Sequence, residues 1–326
     1  LSHSLISTSH PSVFQIILYY AIILLFTLSI KIGFSKKLAI TIAGICLVLA
    51  VSFITIPSKS LDIIAFDVQN ADCFLIKTPE NKYLFIDTGR AGYNGSKAQA
   101  NSIIIKYLKD RGIKNIEGLI ITHFDNDHSG GATDIMKSLR IKKVYLNSYS
   151  DDSMTSKNIY KTIEKLRINS QIPTNNNSIY AEKDLNLKTY FINSETDNEK
   201  SIITLLSYKD FDMLFTGDAG VKAFKELKNS LPRKVEVLKV GHHGGPRVVN
   251  NDMLDYFKIQ VSIISTGPNA FGHPNRGTLD LLRNTEIYRT DRHNSIKITS
   301  DGKSYNILTY NKHKKKYVFS KKIETI

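Results

Sequence analysis

Residues 122–131 read T-H-F-D-N-D-H-S-G-G and place His123, Asp125, Asp127 and His128 within six positions. Two imidazoles and two carboxylates at this spacing can share a divalent cation. The preceding run, 118–121, is Gly-Leu-Ile-Ile, apolar and β-prone, and reads as a buried strand. Residues 132–139, after the glycine pair, read as a helix. The four groups therefore belong to a loop at the carboxyl end of a strand, where open α/β sheets keep their chemistry. A lone His-x-Asp is most often an ordinary turn. Four such groups beside a buried strand would all have to lose water, which is costly unless they are paired. Mixed nitrogen and oxygen donors suit zinc, manganese or iron better than a purely oxygen-seeking ion.

Two later stretches carry compatible chemistry. Residues 202–208 and 211–215 alternate as a hairpin and deliver Thr216-Gly217-Asp218. One carboxylate has two oxygens and can bridge two cations roughly 3.5–4 Å apart. The apolar run 235–240 ends in G-H-H-G-G, with His242 and His243 on a glycine-rich loop. A late strand, 261–265, leads to N-A-F-G-H-P at 269–274, which contains His273.

These stretches lie in a chain of 326 residues, 42% hydrophobic, enough for one large domain or two modest ones. The formal net charge is +14 and the isoelectric point about 9.5. Three of the lysines, Lys31, Lys36 and Lys37, precede Ser58, so the remainder is also strongly basic. Such a balance suits a polyanionic partner (nucleic acid, anionic lipid or a phosphate polymer), or is simply a lysine-rich solvated surface. Cys46 and Cys73 are the only cysteines, and no C-x-x-C motif occurs.

Residues 13–30 and 38–56 contain no charge, and each is long enough to cross a hydrocarbon core of about 30 Å. A helical hairpin through a membrane is expected. The three lysines lie in the short turn between the runs, which places that turn in the cytoplasm and everything after Ser58 outside it. Beyond the hairpin, strands are expected at 61–68, 72–78 and 83–86 in antiparallel succession, followed by the turn Asp87-Thr88-Gly89. Helices are expected at 96–112 and 153–166, a short strand at 144–146, a loop at 169–177 and a closing hairpin at 295–299 and 305–309. Strand-helix alternation is expected in two halves, 61–200 and 201–310. The lysine-rich end, 311–322, reads as a solvated tail or a basic arm on DNA or lipid.

The string H-x-D-x-D-H-x-G-G resembles the H-x-H-x-D-H of the metallo-β-lactamase superfamily, with aspartate in the second histidine's place. That variant is typical of the C-terminal domain of ComEC-type DNA-uptake channels. D-V-Q-N-A-D at 67–72 is similar to the D-V-G-Q-G-D that opens such domains. H-H-G-G resembles their H-H-G-S, and N-A-F-G-H-P their N-x-x-G-H-P. The resemblance implies an αββα sandwich over residues 58–310, preceded by the transmembrane hairpin at 1–57 and followed by a basic tail at 311–326. It implies one or two divalent ions, manganese or zinc. Asp127, His128, Asp218 and His242 would hold one; His123, Asp125 and Asp218 would hold the other. Asp127 would also orient the attacking water, with His243 and His273 touching substrate or moving a proton. Asp87 matches an aspartate that supports the metal loop. The superfamily takes a third imidazole for its first metal from an interval that has no histidine in this chain; Asn198 and Ser201 stand there instead. The implied function is cleavage of phosphodiesters in one strand of incoming DNA, by a multi-pass cell-membrane protein with this domain outside. Its partners would be single-stranded DNA, the bilayer, the rest of the channel and the competence machinery. The alternatives are a membrane-anchored hydrolase of another phosphodiester, such as a phosphorylcholine ester, and a domain that guides DNA without cutting it.

Overall fold

The computed structural model describes residues 13–32, 36–52, 59–92, 99–147, 152–194, 196 and 198–326. The chain divides into two compact units, residues 1–58 with 107–113 and residues 59–106 with 114–326. In the first, two helices, Val13–Ile32 and Lys36–Ser52, occupy the positions of the two uncharged runs and pack on one another. Among the described residues no helix is long and apolar enough to cross a membrane, so the expected spanning hairpin is seen here as a pair of helices only.

The second unit is built on two large sheets. The first has nine strands among the described residues. Leu61–Ala65, Phe74–Lys77 and Tyr83–Ile86 run antiparallel, as expected. Gly118–Ile120, Lys143–Tyr145 and Asn169–Gln171 continue it in parallel, the last of these where a loop is expected. The second sheet has, among the described residues, seven strands, from Asn177–Glu182 through the Ile203–Tyr208 and Phe211–Phe215 hairpin to Glu286–Arg289. The division between the halves thus falls near 177 rather than 200, and the chain returns to the first sheet with Ile296–Ser300 and Ser304–Asn311.

The expected basic tail is largely a strand. Lys316–Glu324 pairs antiparallel with Ser304–Asn311 and forms the sheet edge. Tyr317, Val318, Phe319 and Ile323 give this segment its β preference. The lysines around them keep the open edge from recruiting another chain.

Period-two alternation explains the layering. Leu61, Ile63, Phe74, Ile76, Leu84 and Ile86 of the first sheet meet Leu187, Leu206, Met213, Phe215, Val237 and Ile263 of the second in one core. Leu205, Leu214 and Leu238 point the other way and pack with Ala223, Phe224 and Leu227 of helix Val221–Leu227 and with Met253 and Phe257 of Asn251–Phe257. Two sheets face to face, with helices on the outer side of the second, are the α/β layering expected from the sequence. The layering brings the carboxyl ends of Gly118–Ile120, Phe211–Phe215 and Val237–Lys239 to one place, because the last two are parallel neighbours and Ile202 N donates to Thr122 O (3.0 Å) across the sheets.

One strand position is electrostatically unfavourable. Burial pushes the Asp212 carboxyl up to about 6, aided by the neighbouring Glu236 carboxylate and opposed by the Ser207 hydroxyl and Lys234. A folded-state pKa above the unfolded one means this contribution to stability is present below about pH 4 and lost as pH rises through about 6. Asp212→Asn is therefore expected to leave urea stability nearly unchanged at pH 4 and to raise it by about 3 kcal/mol at pH 8. Equal effects at both pH values would contradict this.

Candidate metal centre

The loop after Gly118–Ile120 is fastened at both ends by the turn that follows Tyr83–Ile86. Asp87 Oδ1 accepts from Thr122 N at 2.9 Å, and Asp87 Oδ2 accepts from Thr122 Oγ1 at 2.8 Å. The same Oδ2 lies 2.7 Å from His128 Nδ1. Thr88 N donates to His128 O at 2.7 Å, and Asp72 N to Asp127 O at 3.0 Å. Residues Asn126–Ser129 form a short helical turn, and Gly130 closes it. A Cβ at Gly130 would run into Ala91 N and Asn126 O, so this approach of two backbones requires glycine.

These hydrogen bonds assign the imidazole protons. Thr122 Oγ1 spends its hydrogen on Asp87, so at 3.0 Å it accepts from His123 Nδ1. His128 Nδ1 donates to Asp87, and His243 Nδ1 donates to Ser265 O at 2.9 Å. In the neutral rings each Nε2 then carries a lone pair. All three Nε2 atoms are buried and have no hydrogen-bond partner.

What they face is carboxylate. Asp218 Oδ1 lies 3.1 Å from His128 Nε2, while its Oδ2 lies 3.9 Å from His123 Nε2. Asp125 Oδ2 is 3.6 Å from His123 Nε2, and Asp127 Oδ2 is 3.5 Å from His243 Nε2. Lone pairs pointed at buried carboxylate oxygens repel unless a proton or a metal cation lies between. The site thus fits a divalent cation, and His123, His128 and Asp218 converge closely enough to hold one. Without metal, protons take that place. Burial alone would lower the His128 pKa, yet the Asp218, Asp87 and Asp72 carboxylates raise it well above the usual imidazole range. Burial would raise Asp218, but His128 holds it well below the usual carboxylate range. Asp127 is likewise held low against its burial by His243 and His128.

The two adjacent histidines differ. Both adopt left-handed backbone, with φ of 46° at His242 and 53° at His243, a conformation that side chains other than glycine rarely take. His243 is buried and is the one whose Nε2 faces Asp127. The half-buried His242 has its Nδ1 3.4 Å from the Asn198 amide nitrogen, its Nε2 4.0 Å from Asp218 Oδ2 and its backbone N donating to Asp218 Oδ1 at 3.1 Å. An amide N–H donated to Nδ1 leaves His242 Nε2 as a proton-bearing donor, opposite in sense to His243. His242 was expected to share a metal with Asp127, but the ring that faces Asp127 is that of His243. His273 stands outside these ion pairs, its ring 5.0 Å from that of His242 and its Nδ1 unpartnered. Asn198 and Ser201, at the place of the absent third imidazole, orient rings: Ser201 Oγ lies 3.3 Å from His123 Nδ1 and accepts from Asp218 N.

Sequence reading missed Lys239 and the reach of Asp72. Lys239 is buried, ion-pairs with Asp72, donates to Gly217 O at 2.7 Å and approaches Asp218 Oδ1 at 3.8 Å. Burial would lower its pKa, but Asp72 and Asp218 raise it. Its signal was a lysine three positions after Glu236 in the largely apolar run before G-H-H-G. Arg90, 3.4 Å from Asp127 Oδ2, had no signal.

Residues 67–267 match the family model described as the metallo-β-lactamase superfamily, and the chain belongs to that superfamily. Within it, the curated relatives are competence proteins of the ComEC family. "ComE operon protein 3" of Bacillus subtilis is 24% identical over 89% of this chain and 40% of its own length. "Recombination protein 2" of Haemophilus influenzae is 29% identical over 62% of this chain and 24% of its own length. "Competence protein ComA" of Neisseria gonorrhoeae is 23% identical over 72% and 32% respectively. The chain thus spans less than half the length of each.

Asp87 is the test of this loop. Asp87→Ala removes the acceptor for Thr122 and His128 together, and is expected to lower urea stability by about 3 kcal/mol or more. Manganese affinity, read by calorimetry, should fall about tenfold or more. Unchanged affinity would show that the two imidazoles orient themselves without it.

Proposed function

We propose that this domain hydrolyses phosphodiester bonds in one strand of DNA during uptake, held at the membrane by the helical pair that precedes it. The observation that carries the reading is the splitting of Asp218 between two groups, with His128 on Oδ1 and His123 on Oδ2. On this reading His123, Asp125 and Asp218 hold one cation, and Asp127, His128, Asp218 and His243 hold the other. The carboxylate-rich first position suits manganese better than zinc. Such cations acidify a water and neutralise charge on phosphoryl oxygens. Asp127, kept ionised by His243 and His128, accepts a hydrogen bond from that water and orients it. His242 donates from Nε2 toward a phosphoryl oxygen, and His273 contacts the phosphate from beside it. Lys239 keeps Asp72 and Asp218 from repelling one another when cations leave.

The relatives' printed names, competence and recombination proteins, favour DNA as substrate, as does the formal net charge of +14. The uncharged runs at 13–30 and 38–56 support a membrane hairpin with the lysine turn inside and this domain outside. The first position, with a single buried imidazole, favours a second reading in which the domain guides DNA without cutting it.

The chain incubated with single-stranded DNA and manganese is expected to cleave it, and Asp127→Ala to lower the rate by at least a hundredfold. Asp127 is partly exposed at the edge of the site, so the variant should keep its fold by circular dichroism. Metal binding and salt-dependent DNA binding without cleavage would establish the guiding reading. Neither binding nor cleavage would turn attention to other phosphodiesters.

A further inference from the structure

A groove of about 810 Å³ opens beside the metal centre, with Asp218 and His242 in its wall. Lys222, Lys225 and Arg247, all exposed, also line it. Lys222 and Lys225 are three apart on helix Val221–Leu227 and so share a face. Lys222 Nζ lies 3.0 Å from Ser194 Oγ. The groove's other acid among the described residues, Glu199, is turned inward: its Oε2 accepts from Gly220 N and Ala223 N and caps the helix. Lys222, Lys225 and Arg247 therefore line the same groove as Asp218.

The ring of His273 lies 5.0 Å from that of His242, and the ring of Phe271 lies 5.8 Å from that of His273 at a tilt of 32°. Phe271 is 72% exposed. Its loop is firmly held. Asn269 Oδ1 accepts from Phe271 N (3.1 Å) and His273 N (3.0 Å), while Asn269 Nδ2 donates to Gly267 O (2.8 Å) and His273 O (2.7 Å). An exposed aromatic ring on a rigid turn, near His273 and His242 and hence near a groove lined by cations, is an arrangement that suits an unpaired strand.

Building on the nuclease reading, we propose that a single polynucleotide strand crosses the metal centre with one unpaired base stacked on Phe271 and its backbone phosphates running along Lys222, Lys225 and Arg247. Stacking on Phe271 requires a base that has left its duplex, so the ring selects single strands. The lysines and the arginine contact phosphates and carry no sequence preference.

The test is fluorescence anisotropy of the full chain in EDTA, with a labelled single-stranded 12-mer, its abasic counterpart, a duplex, and inorganic polyphosphate as competitor. Phe271→Ala should weaken the single strand roughly tenfold and leave the abasic strand unchanged, and Phe271→Trp should restore binding. The triple variant Lys222→Ala, Lys225→Ala, Arg247→Ala should weaken all ligands, polyphosphate included, and reduce the salt slope for the single strand by about 2. Equal binding by the Phe271→Ala variant, equal losses on intact and abasic strands, or an unchanged salt slope would overturn the proposal, as would a parent chain that binds no strand. A parent that shows this pattern yet cleaves nothing with any divalent cation refutes the nuclease reading and supports the track. One that cleaves, with variants binding as the parent does, refutes the track alone.

Discussion

One buried carboxylate decides where the protons of this site reside. Asp87 takes the Thr122 hydroxyl hydrogen on Oδ2 and faces His128 Nδ1 with the same oxygen. Through Thr122 it also sets the proton of His123. Both Nε2 atoms are left as lone pairs aimed at the two oxygens of Asp218. That repulsion is relieved by a proton or by a metal cation between them. The rest of the structure serves it: the parallel strands Phe211–Phe215 and Val237–Lys239 bring Asp218 and Lys239 to the same end, and Asp72, the last residue of the opening motif, ties the loop through Asp127 O.

The charge balance around this arrangement is equally constrained. Asp72, Asp87 and Asp218 are all buried, and Lys239 is a buried cation among them. Three carboxylates so placed could not fold together uncompensated. Lys239 supplies one positive charge permanently, and protons or metal supply the remainder. Metal binding and protonation therefore compete for the same lone pairs.

Much of this was legible in the sequence because it rests on local pattern. The alternation at 202–215 gave the hairpin that delivers Asp218, and the apolar run before T-H-F-D gave the strand that ends at His123. The tight string of His and Asp marked the loop itself. What could not be read depends on orientation. The order of His242 and His243 is set by Ser265 and Asn198, far apart in the chain, and no spacing rule encodes it. Lys239 ends the strand Val237–Lys239, and its partners Asp72 and Asp218 come from distant parts of the chain. The strand Lys316–Glu324 was hidden by its lysines, which look like a tail until Ser304–Asn311 offers an edge to pair with.

On the proposed reading the two oxygens of Asp218, which face His128 and His123, would hold two cations. The most direct measurement is electron paramagnetic resonance of the full chain titrated with manganese. The account predicts two ions per chain and the split signal of a spin-coupled pair, with coupling lost in Asp218→Ala. A single isolated manganese signal at saturation, or a coupled pair that persists in Asp218→Ala, would contradict it.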